Sequence, residues 1–220
     1  MNIDHCNTHS SFKDTVRMSN LCQEITLPTV PLEHIDGDGE IALCILSAIN
    51  VGTLKDLSEL EELCDLAVRA LDEIIDYQQY PVKAAEISTK ARRSLGVGYI
   101  GLAHYLAKHQ AKYSDKDALK VVHELSEAFQ YYLIQASMNL AKEKGKCEYF
   151  NRTKYADGLM PVDHYKTDLD EICKTKLKLN WNKLRKQVQE HGMRNSTLSA
   201  QMPSESSSVV SNATNGIEPP

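Results

Sequence analysis

The chain has 220 residues, 42% of them hydrophobic, a formal charge of -5 and a pI near 5.9. That length and apolar content suffice for a real core in one or two domains, and an acidic balance without a basic block argues against a nucleic-acid partner. No apolar run approaches the roughly 20 residues of a membrane span and no charged-then-apolar leader opens the chain. Six cysteines (6, 22, 44, 64, 147, 173) without paired spacing predict reduced cytoplasmic thiols.

Residues 1–50 have strand-and-loop character. Asn20-Leu21-Cys22-Gln23-Glu24 sets an amide, a thiol and a carboxylate at alternate positions. If that segment is extended, all three side chains share one face, with Gln23 pointing the other way. Such a face offers one small substrate a hydrogen-bond donor, a sulfur for one-electron chemistry and a base. An ordinary buried cysteine in a loop is the alternative from these residues alone. His5, Cys6 and His9 are close enough to begin a zinc site, but no second ligand cluster follows. Ile25-Thr26-Leu27 and Ile41–Leu46 are apolar runs of strand length, the second following Gly37 and Gly39.

From Leu54 to Tyr80 apolar residues recur at three and four, which predicts a helix that Pro81 ends. A second helix is expected from Ala84 to Lys108, with Gly96, Gly98 and Gly101 marking a close backbone approach within it. A third runs from Asp115 to Lys144 and stops at Gly145. Residues 146–179 mix loop and short helix, and Trp181–His191 is a short basic helix ending at Gly192. Finally a strand-like run, Thr197–Met202, meets Pro203 and the helix start Ser204-Glu205-Ser206-Ser207. Open backbone N–H groups there would form an anion site, and a ligand-free helix cap is the alternative.

The motifs belong together in a known pattern. Asp4–Ser10, the Asn20–Glu24 triad, Gly39–Cys44, Arg194–Ala200, Met202–Ser207 and Asn212–Pro220 closely resemble, in order, the catalytic (large, alpha) subunit of class I ribonucleotide reductase of bacteria and their large phages. The resemblance runs from about Ile3 to Pro220. It implies an α/β fold: part of a ten-stranded α/β barrel with a central catalytic finger loop and a helix-rich middle. Residues 1–50 then supply finger loop and barrel strands, 54–192 are mainly helical, and 194–220 supply strand, phosphate loop and helix start. That subunit is several times longer, and nothing here resembles its ATP cone, its allosteric specificity site, its tyrosine pair or its C-terminal cysteine pair. One product of a split gene is therefore an expectation.

By this resemblance the reaction converts ribonucleoside diphosphates to deoxyribonucleoside diphosphates. Cys22 abstracts hydrogen, Glu24 is the base and Asn20 holds the ribose hydroxyls. Leu21, Gln23 and Pro203 to Ser207 join them in binding substrate, and Ser206 stands where the pattern often has Thr. Cys44 is one redox-active cysteine, whose partner matches a position before Met1; a Cys6–Cys44 pair is the weaker alternative. No cofactor or metal is expected on this chain. The radical comes from the metal site of a small (beta) subunit, and an external thiol reductant, thioredoxin or glutaredoxin, restores the dithiol. Expected partners are thus the remaining parts of the large subunit and the small subunit. The other readings are a non-catalytic remnant that binds reductase subunits, and an unrelated helical thiol protein.

Overall fold

A computed structural model describes residues 7–34, 37 and 39–219. Two strands, β1 (Ile45–Asn50) and β2 (Leu95–Ile100), pair in parallel with Ile45 opposite Leu95 and Asn50 opposite Ile100. Parallel neighbours need a long crossover, which α1 (Glu59–Tyr77) and α2 (Lys83–Arg92) supply. After β2 come α3 (Leu102–Lys108), the long α4 (Lys116–Lys144), a one-turn α5 (Leu169–Ile172), α6 (Trp181–His191) and a short α7 (Glu205–Val210). Three short 3-10 turns cover Glu148–Asp163, and another follows β1.

The helices form where the periodicity places them. Leu60, Cys64, Val68, Leu71 and Ile75 bury one stripe of α1, and it packs on the buried Leu125, Phe129 and Leu133 of α4. Gly145, at φ +84°, ends α4, and Gly192, at φ +80°, ends α6. No helix among the described residues is long and apolar enough to cross a membrane.

The single helix expected over Ala84–Lys108 is instead helix, strand and helix. Arg93, at φ +48°, breaks it, and Leu95–Ile100 runs through the core with every residue buried. The glycines are there because partner strands press close. A Cβ on Gly96 would fall 2.6 Å from Leu46 Cδ2 and 2.9 Å from Cys44 Sγ, and one on Gly98 only 2.4 Å from the Ala200 carbonyl oxygen. On the other side of β2, Leu95 and Val97 donate backbone hydrogen bonds to Thr197 and Leu198, and Ala200 donates back to Val97. Residues 197–200 thus lie beside β2 as a third, irregular parallel partner.

Two other expectations shift. The strand expected at Ile41–Leu46 starts four residues late, at Ile45. Ile25–Leu27 forms no strand; the chain there is held by an isolated antiparallel bridge between Val16 and Pro28. The molecule is α/β with a helix-rich middle, as the sequence implied.

A buried ionic cluster locks the strand end to the helices. Asp72, wholly buried on α1, accepts from Arg93 Nε at 2.6 Å, Arg194 Nε at 3.1 Å and Asn195 Nδ2 at 3.1 Å. Asn195 also accepts from Ser137 Oγ of α4. A buried carboxylate is tolerated only when so paired, and the pairing sets where residues 197–200 begin.

Candidate functional site

The triad sits on a turn, and not on an extended face. Gln23 N–H donates to the Asn20 carbonyl at 3.1 Å, Asn20 N–H to the Ile25 carbonyl at 3.2 Å, and Ile25 N–H to Asn20 Oδ1 at 3.1 Å. Gln23 takes φ +63° to close the turn. Local hydrogen bonding of this kind outcompetes a strand when no neighbour completes the ladder. The turn still joins the amide and the carboxylate, since Asn20 Nδ2 donates to Glu24 Oε1 at 2.6 Å. Leu21 stands at the tip, 96% exposed, and Cys22 beside it is exposed. Glu24 Oε2 is buried and has no partner among the described residues.

Two clefts flank the finger. One, of about 410 Å³, is lined by Met18, Asn20, Val30, Leu32, Glu40 and Cys44 among others. The other, of about 220 Å³, includes His9, Glu24, Gln130, Tyr155, His164 and Ser199. Burial, and then the charge of Lys154, hold the His164 imidazole below its ordinary pKa, so a neutral ring faces the second cleft.

Cys44 lies just before β1, against Gly96. Burial pushes its thiol up to about 12, and the negative charge of Glu24 adds to the shift. The triad and Cys44 therefore share one electrostatic neighbourhood, and Cys44 carries its proton at neutral pH. Cys64 and Cys147 are also pushed up to about 12, with burial the first cause, and both are core thiols. Cys173 is half-buried, 3.3 Å from Thr175 Oγ1.

The expected anion site differs from its outline. The Ser204 and Glu205 N–H groups are not left open, because both donate to Asn215 Oδ1, at 2.6 and 2.9 Å. Ser207 Oγ bonds back to the Ser204 carbonyl, Ser204 Oγ is buried without a partner, and Pro203 and Ser206 are exposed. This loop sits at the carboxyl ends of the parallel strands: Asn50 Nδ2 donates to the Ser211 carbonyl and Gly101 N–H to the Thr214 carbonyl. The segment from Asn212 onward is thus tied down, and Tyr113 Oη also donates to the Glu218 carbonyl.

For the zinc reading, His5 and Cys6 lie outside the described residues, as does a Cys6–Cys44 pair. His9 Nδ1 is 2.6 Å from the His164 carbonyl oxygen. Among the described residues no group of three or more His, Cys, Asp or Glu is arranged to hold a metal.

Sequence reasoning missed Asp72, Arg92 and Arg93, which hold the scaffold. An acid on the apolar stripe between Leu71 and Ile75 was the available signal.

Fold and site together define an α/β protein that presents an exposed cysteine on a turn, between an amide and a carboxylate in the chain, with a second cysteine lining the same cleft as that amide. The family described as "Ribonucleotide reductase, barrel domain" matches residues 1–220, and the chain belongs to that family. It is 61% identical over 223 residues to the ribonucleoside-diphosphate reductase subunit alpha of Haemophilus influenzae, covering 100% of this chain and 30% of the relative. To the protein of that name from Buchnera aphidicola of Schizaphis graminum it is 59% identical, covering 99% of this chain and 29% of the relative. To the ribonucleoside-diphosphate reductase 1 subunit alpha of Escherichia coli K12 it is 57% identical, covering 100% and 29%. The chain therefore spans about 30% of the length of these relatives.

Proposed function

We propose that this chain is the substrate-reducing part of a ribonucleoside-diphosphate reductase, and that it acts with the remaining parts of the large subunit and a radical-bearing small subunit. The barrel it contributes to is the ten-stranded one, with Asn20–Glu24 at its centre. The observation that carries the reading is the finger: Asn20 and Glu24 are hydrogen-bonded across a turn whose tip exposes Cys22, near the protonated thiol of Cys44.

The chemistry follows from bond strengths and charge. A hydroxyl on an unactivated carbon leaves poorly, but a radical on the adjacent carbon weakens that bond. A thiyl on Cys22 takes the hydrogen from ribose C3′, because S–H and activated C–H bonds are comparable in strength. Glu24 takes the 3′-hydroxyl proton as general base, and Asn20 holds the hydroxyls. The 2′-hydroxyl leaves as water after taking a proton from the redox dithiol, and Cys44, kept as S–H, suits that donation. The dithiol gives two electrons and a second proton and ends as a disulfide. Glu24 returns its proton to the 3′-oxygen, and Cys22 S–H returns its hydrogen to C3′, which restores the thiyl. Pro203 to Ser207 bind the diphosphate, with the Ser204 and Glu205 N–H groups turning from Asn215 Oδ1 to the anion. The metal that generates the radical belongs to the small subunit, and thioredoxin or glutaredoxin reduces the disulfide. A cytoplasmic setting, where thiols stay reduced, fits this reading.

The test is a pair of variants assembled with the remaining polypeptides. Cys22→Ser should abolish turnover with assembly intact. Cys44→Ser should start radical chemistry yet stall reduction, so that substrate breaks down without deoxynucleotide. Near-parent reduction by Cys22→Ser removes the thiyl assignment, and normal multiple turnover by Cys44→Ser removes Cys44 from the redox pair.

A further inference from the structure

Arg92, the last residue of α2, is only 2% exposed, and a guanidinium so buried must be paired. Its fork holds two carboxylates. Nη1 donates to Asp14 Oδ2 at 2.9 Å and Nη2 to Glu40 Oε2 at 2.8 Å. Asp14 precedes the finger, two residues before the Val16–Pro28 bridge that closes its base. Glu40 follows the finger, four residues before Cys44, and its N–H donates to the Val30 carbonyl at 2.9 Å. Both arms of the finger therefore end on one side chain. Asp14 is held a second time by Arg152 Nε at 2.9 Å, and the Tyr149 ring lies 5.1 Å from the Arg92 guanidinium and 4.4 Å from that of Arg152.

The network also faces the site. Glu40 lines the cleft that contains Asn20 and Cys44, and its Oε1 is buried with no partner among the described residues. At the tip, by contrast, the hydrogen bonds of the turn among the described residues run between Asn20, Gln23, Glu24 and Ile25 themselves. The placement of the turn beside the cleft that holds Cys44 is then set largely by the arms.

We propose that Arg92 is a positioning residue: by gripping Asp14 and Glu40 it fixes the finger that carries Cys22 at its working distance from Cys44. A planar fork fixes direction as well as distance for two carboxylates at once, which the single point charge of a lysine does not. The inference rests on the reductase reading for its catalytic consequence, and on geometry alone for its structural one.

The experiment uses Glu40→Gln, Asp14→Asn and Arg92→Lys in the chain assembled with the remaining large-subunit polypeptides and the small subunit, with two readouts. The first is the alkylation rate of each cysteine, with the core thiols Cys64 and Cys147 as internal controls for the fold. The second is the ratio of free base released to deoxynucleotide formed. Loosening the finger should speed Cys44 labelling while Cys64 and Cys147 stay protected, and should raise the ratio about tenfold, since roughly 1 Å of misplacement is worth up to a hundredfold in rate. Parent-like labelling of Cys44 and a parent-like ratio in all three variants would overturn the proposal. So would an equal rise at Cys44, Cys64 and Cys147 in both Glu40→Gln and Asp14→Asn, the mark of a merely structural role. Labelling needs no turnover, so if the parent complex makes no deoxynucleotide, the reductase reading fails while the labelling still decides the role of Arg92.

Discussion

Cys22 and Cys44 are both thiols, yet their surroundings give them opposite reactivity. Cys22 is exposed at a turn tip, whereas Cys44 is packed against β2 beside a carboxylate. Alkylation with iodoacetamide at pH 8, followed by peptide mass analysis, should therefore label Cys22 first, with Cys44, Cys64 and Cys147 at least about tenfold slower, because thiolate is the reacting species. Rapid labelling of Cys44 would contradict the burial assigned to it. The three raised thiols also link stability to pH. A thiol whose folded pKa lies above its unfolded value near 9 contributes stability that is intact below pH 9 and is lost as pH rises toward about 12. Residue types and spacing alone left the Asn20–Glu24 stretch open to an ordinary buried cysteine, and the resemblance of the surrounding motifs singled it out. The turn that assembles it was not legible, because Gln23 adopts φ +63° with no glycine or asparagine to signal it.

At the scale of elements, β2 is where sequence and structure diverge most. A strand buried on both faces has no alternation to read, and the reasons for Gly96 and Gly98 lie on partner strands far away in sequence. Gly98→Ala should destabilise the fold by about 1–3 kcal/mol, the usual cost of overpacking, because its Cβ would meet the Ala200 carbonyl oxygen at 2.4 Å. Urea unfolding of the assembled subunit measures this, and an unchanged midpoint would mean that residues 197–200 do not lie where they are placed. Asp72→Ala should also destabilise, by about 1–3 kcal/mol, since it leaves Arg93 Nε and Asn195 Nδ2 without their buried acceptor while Asp76 still holds the rest of the Arg93 fork. The neighbouring Asp76, hydrogen-bonded by Arg93, is held below the usual carboxylate range. Its contribution is present above the ordinary carboxylate pKa and fades as pH falls through the lowered value. Helices α1, α4 and α6, by contrast, were legible nearly to their ends, because a 3.6-residue stripe and a stopping glycine are local signals.

For the whole molecule, the decisive fact is that the chain spans about 30% of its relatives' length. A parallel pair with one irregular neighbour leaves strand edges to be covered, and Leu169, Ile172 and Leu177 are each about half exposed or more. Unpaired edges and apolar patches promote association, so the purified chain should self-associate at micromolar concentration in light scattering, and a complementary polypeptide should suppress this. A chain that stays monomeric alone would count against its being part of a larger barrel. On the function proposed above, this chain supplies the thiyl site and its partners supply the rest. The most direct measurement is deoxyribonucleoside diphosphate formation by the 220-residue chain alone, by the chain mixed with the remaining large-subunit polypeptides and the radical-bearing subunit, and by the same mixture carrying Cys22→Ser. Product is expected in the second sample only. Product from the chain alone, or from the Cys22→Ser mixture, would contradict the proposed function.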